Sequence, residues 1–319
     1  MSLSFFLSLS SPLSSSTHYN ACSCNKSHKI PFSSSTLTSS HPFELLFSNV
    51  WTSPVSSVDS FQYYVIFVDH YTRYIWYYPL KWKSHVYDVF VCFKALVKNQ
   101  SKHRIVTLYS DNGGEYQALD NFLSTNGISH LTIPPHTPKN NGLSEQRHRH
   151  IVETGLSLLT HTSMSLTFWT YAFATTIYLI NHMPTPTLHL SSLFDKLFES
   201  PPNYTKLRVF GCLCYPWLRS YSQHKLDSRS TPCVFLGYSS TQSAYICLDM
   251  STSKTYISRH VKFLENSFPF TTHQSYLARP TPKLISNGLP LVQTITISNG
   301  SLNMPPQRDS SCQHQSQNA

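Results

Sequence analysis

Residues 105–150 constrain this chain more than any other stretch. Ile105, Val106 and Leu108 form a short apolar run rich in β-formers, which breaks into the turn residues Asp111-Asn-Gly-Gly114. The pattern predicts a buried strand whose end presents the Asp111 carboxylate to a crevice. Thirty-four positions later Glu145 follows Pro138-Lys-Asn-Asn-Gly142, and from Leu143 the spacing predicts a helix with Arg147, His148, Arg149 and His150 in its first turns. Two hard oxygen ligands, one at a strand end and one on a helix, can share divalent cations, and the surrounding bases favour a phosphodiester partner. Taken singly, neither feature is informative. Asp-Asn-Gly is ordinarily a turn, and a helical Glu among arginines is ordinarily a solvated face whose pairs add only ~0.3 kcal/mol each.

The flanking stretches supply a scaffold. Phe43–Trp51, Phe61–Asp69 and Tyr71–Leu80 are consecutive strand-like runs that read as an antiparallel meander. Val86, Val89, Phe90, Phe93, Leu96 and Val97 recur at helical spacing, predicting an amphipathic helix over Lys83–Lys98 that crosses to the strand ending at Asp111. Tyr116–Leu123 is a second crossover and Ile128–Ile133 a fifth strand. The predicted class is α/β: an RNase H-like core of a five-stranded mixed sheet with flanking helices. Leu166, Trp169, Phe173, Ile177 and Ile180 mark another helix, with aromatics spaced for a core and part of the face suited to a dimer interface. Short runs at Leu207–Cys214, Cys233–Tyr238, Ala244–Asp249 and Tyr256–Phe263 predict a small, all-β, barrel-like domain.

Charge separates the two units. Residues 40–182 hold ten Lys/Arg against nine acids, whereas residues 201–262 hold eight against two. Most of the net charge of +9 therefore lies in the later unit, which suits a polyanion such as DNA, although basic surface also fits RNA or plain solubility. The expected boundaries are a disordered leader at 1–40, the core at 41–185, a linker at 186–205, the basic β domain at 206–265 and a disordered tail at 266–319. The leader is Ser-rich with no acid before Glu44, and its alternating Ser/Leu/Phe faintly suggests organellar targeting, but a positive n-region is missing. The longest apolar run, Tyr63–Val68, is too short to span a bilayer, so no membrane segment is expected. Eight cysteines without framework spacing fit free thiols.

Ser110-Asp-Asn-Gly-Gly-Glu115, then His136-Thr-Pro-Lys-Asn-Asn-Gly142, then Glu145-Gln-Arg-His-Arg149, three ordered motifs, resemble the core of a copia-type retrotransposon integrase. The likeness covers about residues 20–265 and implies the same RNase H-like fold. It implies polynucleotidyl transfer with Mg²⁺ or Mn²⁺, DNA as partner, a homo-oligomer and a nuclear site of action reached through the cytoplasm. It also implies that the chain is a middle piece of a Pol polyprotein. Asp111 and Glu145 match two of the family's three metal-binding acids, and Lys139, Asn140, Asn141, Arg147, His148 and Arg149 are the implied DNA contacts. Asp69, in Phe67-Val-Asp69 before Tyr71-Thr-Arg73, matches a separate motif and implies a structural acid paired with Arg73.

The first acid is where the chain departs. Family members carry Asp before Val/Leu-Trp, and this chain reads Phe47-Ser-Asn49-Val-Trp51. A neutral amide neither neutralises nor bridges two cations, so Asn49 implies impaired catalysis, with a non-catalytic DNA-binding or oligomerising remnant as the alternative. Upstream, Cys22-Ser-Cys24 and His28 resemble the end of the family's zinc segment. Tyr19 stands where its first cysteine belongs, so zinc is not expected.

Overall fold

The computed structural model describes residues 37–101, 103–111, 113–132, 138–218 and 228–273. Strand β1 (Leu45–Thr52) lies at the centre of a mixed sheet of order β3-β2-β1-β4-β5. Strands β2 (Tyr63–Asp69) and β3 (Ile75–Leu80) run antiparallel on one side of it, and β4 (Thr107–Ser110) and β5 (Ser129–Thr132) run parallel on the other. This is the meander and double crossover that the sequence predicts. β2 reads as an unbroken apolar run because both its faces are covered. Tyr64, Ile66 and Val68 enter one core, and Val65 and Phe67 enter the other.

Helix α1 (Val86–Gln100) closes the second of these cores with Phe90, Phe93 and Val97, and Phe93 stacks on Phe67 at 4.5 Å. The crossover predicted at Tyr116–Leu123 is two short helices, α2 (Gly114–Gln117) and α3 (Asp120–Thr125). Helices α4 (Pro138–His161) and α5 (Trp169–His182) cover the other core. α4 starts at Pro138, ahead of the predicted Leu143. Proline pre-organises a first turn, and the Asn-Asn-Gly that reads as a loop is absorbed into the helix. The two helices approach closely at Gly155, where an added Cβ would lie 2.3 Å from the Phe173 ring.

A second, antiparallel sheet follows: β6 (Leu213–Pro216), β7 (Cys233–Tyr238), β8 (Tyr245–Asp249), β9 (Thr255–Ser258) and β10 (Val261–Leu264), in the order β10-β6-β7-β8-β9. The strand predicted over Tyr256–Phe263 is really two. β9 pairs with β8 at one edge and β10 with β6 at the other, so only Arg259-His260 spans the two edges and the sheet must curl. No Gly or Pro marks that bend. Cys212, Cys214, Cys233 and Cys247 pack with Phe235 inside this sheet as free thiols, small apolar side chains in effect.

The outer face of the same sheet is not left to solvent. Val234, Leu236, Ile246 and Leu248 share one core with Phe173 and Ile177 of α5. β7 bulges between Phe235 and Gly237, and Gly237 adopts φ +137° where a Cβ would meet Thr175 Oγ1 at 2.5 Å. The close approach therefore requires glycine. Residues 186–205, expected as a linker, contain helix α6 (Leu193–Phe198), whose Asp195 N–H donates to the Ser192 hydroxyl at 3.0 Å. Leu193 is buried in the α1-side core with Leu197 and Phe198 against it, an apolar pattern that the linker reading overlooked.

Order also continues past residue 266. Helix α7 (Pro269–His273) places the Phe270 ring 5.6 Å from Phe168. The rest of the tail, and the leader with Cys22, Cys24 and His28, lie outside the described residues. Among the described residues, no helix is long and apolar enough to cross a membrane.

Candidate metal and DNA site

In the parallel β1–β4 register Phe47 faces Tyr109, and their rings stack at 5.0 Å. Two positions further along each chain stand Asn49 and, just past the end of β4, Asp111. Strand alternation carries both to the face that α4 covers, and both are half-buried. The amide and the carboxylate are thus neighbours by register.

The turn that holds Asp111 is well supported. Gly113 N–H donates to Asp111 Oδ1 at 3.2 Å, and Ser110 Oγ donates to the Asp111 carbonyl at 2.8 Å. Ser110 Oγ also lies 2.8 Å from His130 Nε2, and His130 Nδ1 is 2.5 Å from Asp120 Oδ1, so a chain of side chains from α3 and β5 props the turn. Burial raises the Asp111 carboxyl above its ordinary range. The Gly113 hydrogen bond opposes that, the nearby Glu115 adds to it, and Lys83 offsets part. Glu115 Oε1 pairs with Lys83 Nζ at 3.6 Å. On the opposite face of β1, Ser48 Oγ and Tyr116 OH lie 2.6 Å apart. The spacing of the motif gave no hint of His130 or Asp120 as supports, since they reach the turn only through the fold.

On α4 the buried seam is Ser144, His148, Ile151, Gly155 and Leu159. Glu145 and Arg149 are exposed beside it, and Arg147 is half-buried. His148 is the correction. Expected to position DNA phosphates, it is 7% exposed, with Nδ1 2.9 Å from the Tyr64 hydroxyl and Nε2 without a hydrogen bond. Helical periodicity, which places 144, 148 and 151 on one side, turns it into the core. Lys139, Asn140 and Asn141 fall in the first turns of α4, and their side chains lie outside the described set.

Asp69, by contrast, is structural. Its carboxylate accepts from Phe43 N–H, Thr72 N–H and Thr72 Oγ–H, each at 2.7 Å. Arg73 still lies within electrostatic range of Asp69, whose charge opposes part of the lowering that burial imposes on the guanidinium, but the two form no ion pair within 4 Å.

Residues 39–138 match the Integrase core domain family, and residues 212–276 match the Retroviral polymerase SH3-like domain family. The chain is 62% identical, over 82% of its length, to the Retrovirus-related Pol polyprotein from transposon RE1 of Arabidopsis thaliana. The chain belongs to the copia-type integrases. This integrase chain spans 18% of the RE1 polyprotein's length. Two solved structures are similar to the integrase chain. The simian T-cell lymphotropic virus intasome in complex with PP2A regulatory subunit B56 gamma gives a TM-score of 0.44 at 15% identity, covering 77% of this chain and 87% of that one. The HTLV-2 integrase catalytic core domain in complex with magnesium, a trimeric form, gives 0.37 at 14%, covering 49% and 97%.

The donor chemistry at this site does not fit a pair of divalent ions. Asn49, Asp111 and Glu145 carry two negative charges between them, and the amide offers a single neutral oxygen that cannot bridge two cations. Among the described residues, no three His, Cys, Asp or Glu side chains gather as a ligand set.

His148 makes the integrase fold sensitive to acid. Burial holds its imidazole down at about 4, with the Asn49 carbonyl beside it opposing part of that shift. Because the unfolded ring takes up its proton near pH 6.5, this contribution is present above that pH and is lost as pH falls towards about 4. The loss amounts to roughly 3 kcal/mol. Urea denaturation from pH 7 to pH 4 should show a falling midpoint that His148→Gln flattens; equal slopes for the two proteins would show that the His148 ring does not carry the acid sensitivity.

Proposed function

We propose that this chain is an integrase core that binds DNA while its metal-dependent strand transfer is impaired at Asn49. The observation carrying this reading is the register that sets an amide, in place of an acid, level with Asp111. In this reading Asp111 and Glu145 are the two acids left of a three-acid set that would hold Mg²⁺ or Mn²⁺ for phosphoryl transfer. The residues that grip DNA do not depend on position 49: Arg147 and Arg149 on α4, with Lys139, Asn140 and Asn141 at its start. The second sheet supports the same grip. That sheet packs against α5 through Val234, Leu236, Ile246 and Leu248, and residues 201–262, which contain it, hold eight bases and two acids. Element ends and target DNA are the partners in this reading, a homo-oligomer the assembly and the nucleus the site of action. A non-catalytic, DNA-binding remnant is the second reading, favoured by the same Asn49.

The test is fluorescence anisotropy of the full chain on duplex DNA in rising salt. Affinity should fall linearly in a log–log plot, and Arg149→Gln should reduce the slope by about 0.9. Binding that is indifferent to salt would contradict phosphate contacts.

A further inference from the structure

Where the second sheet meets α5, the fold forms a cleft that no part of the metal and DNA site uses. It holds about 660 Å³, within the range of small-molecule sites, and lies against α5, α6 and the β7–β8 hairpin, beyond the β3 edge of the core sheet. Asn49, Asp111 and Glu145 do not line it. Its wall is aromatic. Tyr238 of β7 stacks on Tyr178 of α5 at 3.8 Å, Tyr178 on His182 at 3.9 Å, and His182 on Phe194 of α6 at 4.8 Å, with each pair of planes within 25° of parallel. Three elements distant in sequence thus build one column of rings, a wall suited to a planar ring.

Charge at the cleft has one sign. Among the described residues that line it there is no Asp or Glu, whereas Lys206, Arg259 and His260 are present and exposed. None of these three makes an ion pair among the described residues. Lys206 Nζ donates to Ser243 Oγ at 2.6 Å, and the Tyr245 hydroxyl donates to the Lys206 carbonyl at 3.3 Å. Arg259-His260 is the bend between β9 and β10, held by Trp217 N–H donating to the His260 carbonyl at 2.8 Å. The curl of the sheet therefore delivers a guanidinium and an imidazole to the cleft. Thr170 of α5 is 2% exposed, lines the same cleft and has a hydroxyl with no hydrogen-bond partner. A buried hydroxyl left unpaired is costly, and in a cleft it points to a polar ligand atom.

We propose that this cleft is a nucleotide site, taking a base against the Tyr238–Tyr178 column and its phosphate at Lys206 and Arg259. Guanidinium and ammonium groups recognise phosphate, an aromatic face stacks a base of any sequence, and a threonine hydroxyl can meet a base edge. The bases of a duplex are already stacked, so a DNA strand supplies the nucleotide from an unpaired end. That source rests on the reading of the chain as a DNA binder; the chemistry of the cleft does not.

The experiment titrates the full chain with a blunt duplex and with the same duplex carrying a short single-stranded 3′ tail. The Tm is read alongside with thymidine 5′-monophosphate, inorganic phosphate or phosphotyrosine. The tail should tighten binding about 10-fold. Arg259→Gln and Lys206→Gln, both at exposed positions, should each reduce that gain to about 2-fold. Thr170→Val should cost about 5-fold on the tailed duplex and nothing on the blunt one, with a Tm unchanged or higher because the hydroxyl bonds to nothing in the fold. Thymidine monophosphate should raise the Tm of the natural chain and not that of Arg259→Gln. A Tm shift without a tail preference assigns the cleft to a free nucleotide, and a tail preference lost in Thr170→Val without a Tm shift assigns it to a strand end; either supports the site.

A tail preference that survives in all three variants overturns it, as does a chain with neither tail preference nor Tm shift. A Tm shift from phosphate or phosphotyrosine as large as that from the nucleotide overturns it too. If the blunt duplex still binds with the expected salt dependence in those cases, DNA binding stands and the cleft alone fails. If the blunt duplex shows no salt dependence, the DNA reading fails, and the thymidine monophosphate shift alone decides the cleft.

Discussion

Asn49→Asp should raise metal-dependent strand transfer about 10³-fold over the natural chain, which corresponds to ~4 kcal/mol of restored transition-state stabilisation. The substitution places a carboxylate beside Asp111 in the β1–β4 register, on a half-buried surface where charge is weakly screened. Without metal this should be costly. Burial and Glu115 already raise the Asp111 carboxyl, and a further acid adds repulsion. The variant should therefore gain a metal-dependent Tm that the natural chain lacks, read by thermal denaturation with and without Mn²⁺. A natural chain as active as the variant, in assays on the same DNA ends, would show that the amide suffices.

Asp69→Ala should cost about 3–5 kcal/mol, the largest effect on stability expected outside the apolar core. The carboxylate is fully buried and joins the start of the ordered chain to the β2–β3 turn through three hydrogen bonds. Removing it strands the Phe43 and Thr72 N–H groups without acceptors, next to two residues held at positive φ, Phe43 and Arg73. Burial raises the Asp69 carboxyl, so its own titration stabilises the fold as pH falls, opposite in sign to His148. A urea midpoint shifted by less than ~1 kcal/mol would mean that the turn holds without it. The same three bonds explain why Asp69 does not replace the missing ligand: its oxygens are already committed.

The core sheet was legible because β2 and β3 are buried on both faces and its crossover helix repeats Val86, Phe90, Phe93 and Val97 at helical spacing. Asp111 was legible because turn residues follow a β-rich run, and the fold places it at a strand end. Other features were hidden for physical reasons. His148 sits among Arg147, Arg149 and His150 in sequence, and only the rotation of the helix separates the buried ring from the exposed bases. The β9–β10 break carries no Gly or Pro, because curvature is imposed by pairing at opposite edges. Arg73 looked like the partner of Asp69 because the two are four residues apart, yet backbone N–H groups reach the carboxylate first. The packing of the second sheet on α5 depends on Gly237 and Thr175, residues remote in sequence.

The most direct test of the central claim is a manganese soak of crystals of the natural chain, read by anomalous scattering. Impairment at Asn49 predicts at most one weakly occupied ion, held by Asp111 and Glu145. Two fully occupied ions with the Asn49 amide oxygen as a ligand would contradict it.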